Sequence, residues 1–338
     1  MKAAVFYGEH DLRISEIEKR QPQDNEVIIE VKACGVCGTD LHIYEGAEGS
    51  TKVDPPIVLG HELSGVVCET GKGVKYLKVG DRVSVDPNDM CGACYFCRIG
   101  QNHFCENHIA IGVTINGGFA EYVTVREKQV YKIPDNITFE EAAMVEPISC
   151  CLHGMDLTGV NAGDTVLIIG GGPIGLIMLQ LAKFRGAGKL ILSEPVEEKR
   201  KLGIKLGADL AIDPLKQRLS DTIKEYDIKN VDKVIECVGS ANTVKDALEC
   251  AGNGGVVMIF GLTDPACEVP VKPYEMFKKE LTIKASFINP YTFERSISLL
   301  TSGKINVKEI ITDIVKLEDI NKVFEDEGYR KRGKVIIC

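Results

Sequence analysis

Four of the chain's thirteen cysteines fall in one stretch, "MCGACYFCRIGQNHFC" (residues 90–105), as Cys91, Cys94, Cys97 and Cys105. The spacing C-x2-C-x2-C-x7-C suits a metal, because two-residue gaps let a looped backbone aim successive sulfurs at a zinc ion about 2.3 Å away. Four thiolates close a tetrahedral shell and leave no position for substrate. The group therefore reads as a structural site, fixing a lobe that has little hydrophobic core of its own. A disulfide framework fits an odd number of cysteines poorly, and it fits a reducing cytoplasm no better. An iron–sulfur cluster also takes four cysteines, but the spacing matches neither of the common ferredoxin patterns.

A second, looser group brackets that lobe. "CGVCGTDLHIYEG" supplies Cys37, Thr39, Asp40 and His42; "GHELSG" supplies His61 and Glu62; "VEPISCCLHG" supplies Glu146. Cysteine, histidine and carboxylate drawn from distant segments suit a catalytic metal, which keeps one position open for water or substrate.

A third signal is a glycine loop, Gly170-Gly171-Gly172-Pro173-Ile174-Gly175, set between an apolar strand pattern and a helix pattern. The next strand pattern ends in Glu194, nineteen residues beyond Gly175. In a dinucleotide fingerprint Gly170 makes the tight turn, Gly172 admits the pyrophosphate and Gly175 lets helix and strand pack closely. Pro173 and Ile174 open the helix whose N-terminus meets the phosphate charge. Glu194 would accept hydrogen bonds from the adenosine ribose and repel a 2′-phosphate, which favours NAD over NADP. Lys199 and Arg200 lie just beyond, either as a solvated helix face or as cations that reach the cofactor. Val238 and Phe260, at the ends of two later strand patterns, are assigned to the same site.

These residues need elements to hold them. The chain has 338 residues, about twice a usual domain, with 44% hydrophobic and 26% charged residues. Residues 1–148 carry short β-type runs punctuated by glycine and proline, such as "EVIIEVKACG" and "GDRVSV", and read as a β-rich, partly barrel-like domain. Across residues 149–288 six apolar runs ("DTVLIIG", "GKLILSE", "ADLAID", "VDKVIECVG", "GGVVMIFG", "LTIKASF") alternate with amphipathic helix patterns. Such alternation predicts an α/β fold with a parallel sheet wound on both faces. Residues 289–338 are too few to stand alone and are expected to complete the first domain. Thr165–Ala182 has the length and polarity of a membrane span, but three consecutive glycines and Pro173 break it, so no membrane association is expected. The net charge of −9 repels phosphate backbones and argues against a nucleic-acid partner. The first residues lack the apolar core of a secretory signal, and the expected location is cytoplasmic.

Taken together, "CGVCGTDLH", "GHELSGVV", the four-cysteine lobe, "EPISCCLHG" and "GGGPIG" resemble, in content and order, the zinc-dependent medium-chain dehydrogenase/reductase family. The resemblance spans essentially the whole chain. It implies a GroES-like catalytic domain and a Rossmann NAD-binding domain, with two zinc ions per chain. The catalytic zinc would be bound by Cys37, His61 and Glu62, with Glu146 as a supporting group or exchangeable ligand. Thr39 matches the family's proton-relay position and would pass a proton towards the ribose or His42; otherwise Thr39 caps a turn and His42 is a packed ring. The implied reaction is hydride transfer from a secondary alcohol to NAD. The pairing of "GHE" with "VEP" resembles the polyol and threonine dehydrogenase branch, so a sugar alcohol is the expected substrate. Tyr44, Ile111, Thr114, Glu146 and Asn289 are expected to face it. "SFINPY" (residues 286–291) lacks the arginine of sorbitol-type enzymes. L-threonine 3-dehydrogenase and butanediol-type alcohol dehydrogenase are the enzyme alternatives, and a zinc-binding relative without catalysis is the non-enzyme one. The resemblance also implies a homotetramer or dimer, with the sheets meeting at an edge strand within residues 254–262.

Overall fold

Strand patterns with one apolar face dominate the first 150 residues, and they build sheets that share one core. The structure is a computed structural model, which describes residues 1–47 and 51–338. The chain forms two compact units; the first comprises Met1–Pro147, Phe293–Thr301 and Ile310–Cys338. Its strands begin with β1 (Lys2–Gly8), β2 (Asp11–Glu16), β3 (Glu26–Gly35), β4 (Ile57–Val58) and β5 (Glu62–Thr70). There follow β6 (Arg82–Val85), β7 (Asn88–Asp89), β8 (Ile109–Ala110), β9 (Tyr122–Arg126) and β10 (Val130–Lys132). Short helices α1 (Gly38–Tyr44), α2 (Tyr95–Arg98) and α3 (Phe139–Ala143) interrupt them.

The second unit, Ile148–Thr292 with Ser302–Glu309, is a doubly wound sheet. Helix α4 (Val145–Thr158) leads into β11 (Thr165–Ile169), α5 (Pro173–Phe184), β12 (Lys189–Ser193), α6 (Glu197–Leu206) and β13 (Leu210–Ile212). Then come α7 (Leu219–Glu225), β14 (Lys233–Glu236), α8 (Ala241–Cys250), β15 (Val256–Ile259), α9 (Pro273–Lys279) and β16 (Thr282–Ala285). Helix α10 (Phe293–Thr301), β17 (Ile311–Val315) and β18 (Lys334–Ile337) return to the first unit.

In the first unit the order β10-β6-β5-β3-β18-β17 forms the main sheet, with β9 also paired to β3, while β2-β1-β4 and β7-β8 form smaller sheets. The closing strand β18 sits beside β3, with Ile336 opposite Gly35. Its core includes Ile29, Leu63, Val83, Phe119 and Phe324, each almost wholly buried.

In the second unit all six strands are parallel in the order β13-β12-β11-β14-β15-β16. This reverses at β11, so the carboxyl ends of β11 and β14 flank the switch point where such sheets bind ligands. Apolar runs such as Val166–Ile169 and Leu190–Leu192 are buried because helices cover both faces. The span-like segment Thr165–Ala182 is thus a strand, a glycine turn and a helix, and among the described residues no helix is long and apolar enough to cross a membrane.

Two expectations require correction. Strand β15, within residues 254–262, lies between β14 and β16; the sheet edge is β16, whose four residues are all exposed. Residues 289–292 and 302–309 group with the second unit, not the first. Specific bonds explain this. Asn289 Nδ2 donates to Ser149 Oγ at 2.7 Å, Thr292 Oγ1 donates to the Ser149 carbonyl at 2.8 Å, and the Asn306 N–H donates to Gln180 Oε1 at 2.7 Å.

Candidate metal centres and dinucleotide loop

Cys37 occupies the N-cap of α1 with extended backbone (φ −100°, ψ 157°), a conformation that turns the chain out of β3. Asp40, in the first turn and wholly buried, accepts from the Cys37 N–H at 2.8 Å through Oδ2. Its other oxygen, Oδ1, accepts from the Gly60 N–H at 3.3 Å and lies 3.4 Å from His61 Nδ1. One carboxylate therefore joins the two turns that carry Cys37 and His61 and sets its negative charge beside the imidazole.

The ligand atoms of Cys37, His61 and Glu62 all lie within 4.8 Å of one another. His61 and Glu62 are both buried, and His61 Nδ1 and Glu62 Oε2 have no hydrogen-bond partner of good geometry. Burial works against a charged His61 ring, yet the charges of Asp40 and Cys37 hold its pKa well above the ordinary value. Thiolate, imidazole and carboxylate so close together fit zinc.

Glu62 opens β5, directly opposite Gly35 at the end of β3. Its Oε2 forms an ion pair with Lys334, the first residue of β18, with the two side chains 1% and 6% exposed. At Gly35 a Cβ would overlap Glu62 Oε2 and stand 2.8 Å from Lys334 Cε, so a side chain there would push the ends of both aside. Burial opposes the Lys334 charge, but Glu62, Cys37 and Glu146 raise its pKa above the usual lysine value. Sequence reasoning missed Lys334. It carries no local motif, and only the pairing of β18 with β3 brings it here.

Glu146, buried in the first turn of α4, lies outside the group of three, though its charge reaches Lys334. Thr39 and His42 are half-buried on α1. Three residues apart, they share one face of the helix. The residues expected to face substrate behave differently. Ile111 is fully buried in the core, Tyr44 packs edge-on to His10 and Phe324, and Thr114 Oγ1 accepts from the Ala110 N–H at 2.8 Å within a turn. Asn289, 1% exposed, is engaged with Ser149. Of these four, Thr114 is exposed and Tyr44, Ile111 and Asn289 are buried.

The sulfurs of Cys91, Cys94, Cys97 and Cys105 form the other close group. Helix α2, capped by Cys94, has no buried residue, so the lobe lacks a core to hold it. Backbone N–H groups point at sulfur: Ala93 and Cys94 donate to Cys91 Sγ at 3.4 and 3.3 Å. They pull the Cys91 thiol down to about 6, and the N–H groups of Cys97 and Glu106 lower Cys94, while desolvation and the neighbouring sulfurs push Cys97 up to about 12. Thiolates already stabilised in this way are ready metal ligands. Beside the lobe, buried Asp89 in β7 pairs with Arg126 at 2.7 Å and with Lys128, whose ammonium also donates to the Met90 carbonyl at 3.0 Å.

In the second unit Gly170 turns at φ +101°, Gly172 caps α5, and Pro173 is its first residue. A Cβ at Gly175 would overlap the Gly170 carbonyl oxygen, the close approach expected of the third glycine. Glu194 is fixed by two backbone donors, Gly171 N–H to Oε2 at 2.7 Å and Val196 N–H to Oε1 at 2.8 Å. Arg200 is fully engaged, donating to the carbonyls of Glu194 and Pro195 and pairing with Asp213 at 3.3 Å. Val238 is exposed beside Gly170, Phe260 is half-buried beside Gly154, and Lys199 is half-buried on α6. Buried Glu236, not anticipated, accepts from Val238 and Gly239 N–H at 2.8 and 2.9 Å and shapes the loop after β14.

Comparison with known proteins bears directly on this arrangement. Residues 23–135 match the alcohol dehydrogenase GroES-like domain, and residues 173–302 match the zinc-binding dehydrogenase domain. D-arabinitol dehydrogenase 1 of Uromyces fabae is 35% identical over 341 residues, covering 100% of this chain and 97% of that one. The chain belongs to the zinc-dependent medium-chain dehydrogenase/reductase family. Within this family L-threonine 3-dehydrogenase of Pyrococcus furiosus is 37% identical over 346 residues, covering 99% of this chain and 97% of that one. Among solved structures, a zinc-binding dehydrogenase of Sinorhizobium meliloti 1021 bound to NADP superposes with a TM-score of 0.95 at 36% identity, covering 99% of this chain and 98% of that one. The β-rich unit with its cysteine lobe and the parallel-sheet unit with its glycine loop are the two parts of this medium-chain dehydrogenase fold.

Proposed function

We propose that this medium-chain dehydrogenase oxidises a secondary alcohol of a sugar alcohol to a ketone, with NAD taking the hydride. The observation that carries the reading is the Cys37, His61, Glu62 group, a buried donor set of mixed chemistry whose ligand atoms lie within 4.8 Å of one another. When bound there, zinc supplies the Lewis acidity that lets an alcohol release its proton near neutral pH. Cys37, His61 and Glu62 hold it, Asp40 sets its charge beside His61, and buried Glu146 is the supporting carboxylate or exchangeable ligand. Thr39 Oγ1, two residues from Cys37, accepts the alcohol proton as its own hydroxyl proton passes to the cofactor ribose or to His42, one turn along α1, and from there to solvent. Cys91, Cys94, Cys97 and Cys105 hold a second, structural zinc.

Two features of the dinucleotide loop support NAD. The Glu194 carboxylate is held in place by two backbone N–H groups, and Arg200, the nearest cation candidate for a 2′-phosphate, is tied to two carbonyls and Asp213. A fixed anion and an engaged cation both oppose NADP, although the Sinorhizobium relative carries it. The D-arabinitol dehydrogenase relative supports a polyol substrate; the threonine dehydrogenase relative makes L-threonine the alternative.

A panel of pentitols, hexitols, 2,3-butanediol and L-threonine, each with NAD and with NADP, tests the reading by absorbance of the reduced cofactor. Turnover of polyols with NAD is expected, with two zinc ions per chain. Preferred turnover of L-threonine would reassign the substrate, and no turnover across the panel would overturn the enzyme reading. We place self-association at the exposed edge β16 and the protein in the cytoplasm.

A further inference from the structure

We propose that Lys334 competes with the catalytic metal for Glu62, acting as the resident counter-cation that makes this site weaker and more exchangeable than its ligands alone would make it. The proposal rests on the metal-site reading above. Its ground is an ion pair that the fold goes out of its way to build. Lys334 and Glu62 are 6% and 1% exposed, and two charges this deeply buried cost more in lost hydration than a well-packed apolar pair would. Stability alone does not explain keeping them.

Three strands converge to make the contact. Glu62 opens β5 opposite Gly35, β18 runs beside β3 with Ile336 opposite Gly35, and the bare Cα of Gly35 leaves room for Glu62 and Lys334 beside it. The carboxylate oxygen held by Lys334, Oε2, belongs to the same group that closes the donor set with Cys37 and His61. The ammonium therefore already holds a carboxylate that a metal in this group would use. Two cations cannot both claim it at full strength. Metal binding must share Glu62 with Lys334 or draw it away. When the metal leaves, Lys334 remains as a partner for a carboxylate that would otherwise be buried and unpaired.

The measurement is the zinc dissociation constant of the full chain by chelator competition, with the four-cysteine site kept loaded. Lys334→Gln keeps an N–H for Glu62 but removes the charge. It is expected to bind the second zinc at least about tenfold more tightly than the wild type, the scale on which neighbours of metal ligands act. Lys334→Arg restores the wild-type value, and in a Glu62→Gln background the effect of Lys334→Gln disappears. An unchanged or weaker affinity in Lys334→Gln overturns the proposal, as does a tenfold effect that persists without the Glu62 charge. A wild type that takes up only one zinc overturns the metal-site reading instead. If the variants do not fold, wild-type protein stripped to one zinc per chain decides: a retained cooperative melt supports Lys334 as the resident counter-ion, and loss of the melt overturns it.

Discussion

Asp40 accepts from the Cys37 and Gly60 N–H groups and faces the His61 ring, so its charge and its geometry serve two ligand-bearing turns at once. Asp40→Asn keeps one acceptor oxygen for the α1 cap but removes the charge behind His61. The expected outcome is a loss of zinc affinity of about 10–100-fold at the Cys37 group with little change in circular dichroism, read by metal content after dialysis. Cys37→Ser is expected to go further, leaving one zinc per chain and abolishing alcohol oxidation while the fold persists. Cys37, Asp40, His61 and Glu62 were legible as a group because each stands in a short motif whose residue types declare metal chemistry. Lys334 and Glu236 were not. Each stands at the end of an apolar strand pattern with no motif around it, and its partner is chosen by strand pairing or by a loop.

At the scale of elements, the cysteine lobe and the glycine loop make opposite demands. The lobe is held by its sulfurs, since α2 buries nothing, and its anchorage is the Asp89, Arg126, Lys128 cluster. Cys94→Ser is therefore expected to release the structural zinc and lower the melting temperature before it alters the other metal site. The same lobe should be acid-sensitive. Zinc holds the sulfurs as thiolates, so protons compete with it and release is expected to grow as pH falls from 7 to 5. Zinc release monitored across that range checks the sign: greater retention at pH 5 than at pH 7 would contradict it. The glycine loop instead depends on close backbone approach. Gly175→Ala puts a Cβ onto the Gly170 carbonyl, and α5 must shift from β11. Dinucleotide affinity, followed by NADH fluorescence, is expected to fall while both zincs remain. The loop was readable from spacing because its chemistry is local. The burial of Tyr44 and Ile111 was not, because an apolar side chain carries no mark in sequence of how deeply it packs.

For the whole molecule, β16 is the exposed edge of the six-stranded sheet, with Ile283 open to solvent. An uncovered edge of this kind invites pairing with another strand. Ile283→Asp is expected to lower the mass measured by light scattering, and an unchanged mass would place self-association elsewhere. By itself the sequence picked out the two groups of candidate ligands, the glycine loop and the alternation that demands a doubly wound parallel sheet, because each is written in residue type and short-range spacing. Only the tertiary structure decided which strand is the edge, why residues 289–292 and 302–309 go with the second unit, and that Lys334 stands against Glu62. Those outcomes depend on which distant segments hydrogen-bond side by side, and the residues 272 positions apart that meet across Gly35 leave no periodic trace along the chain.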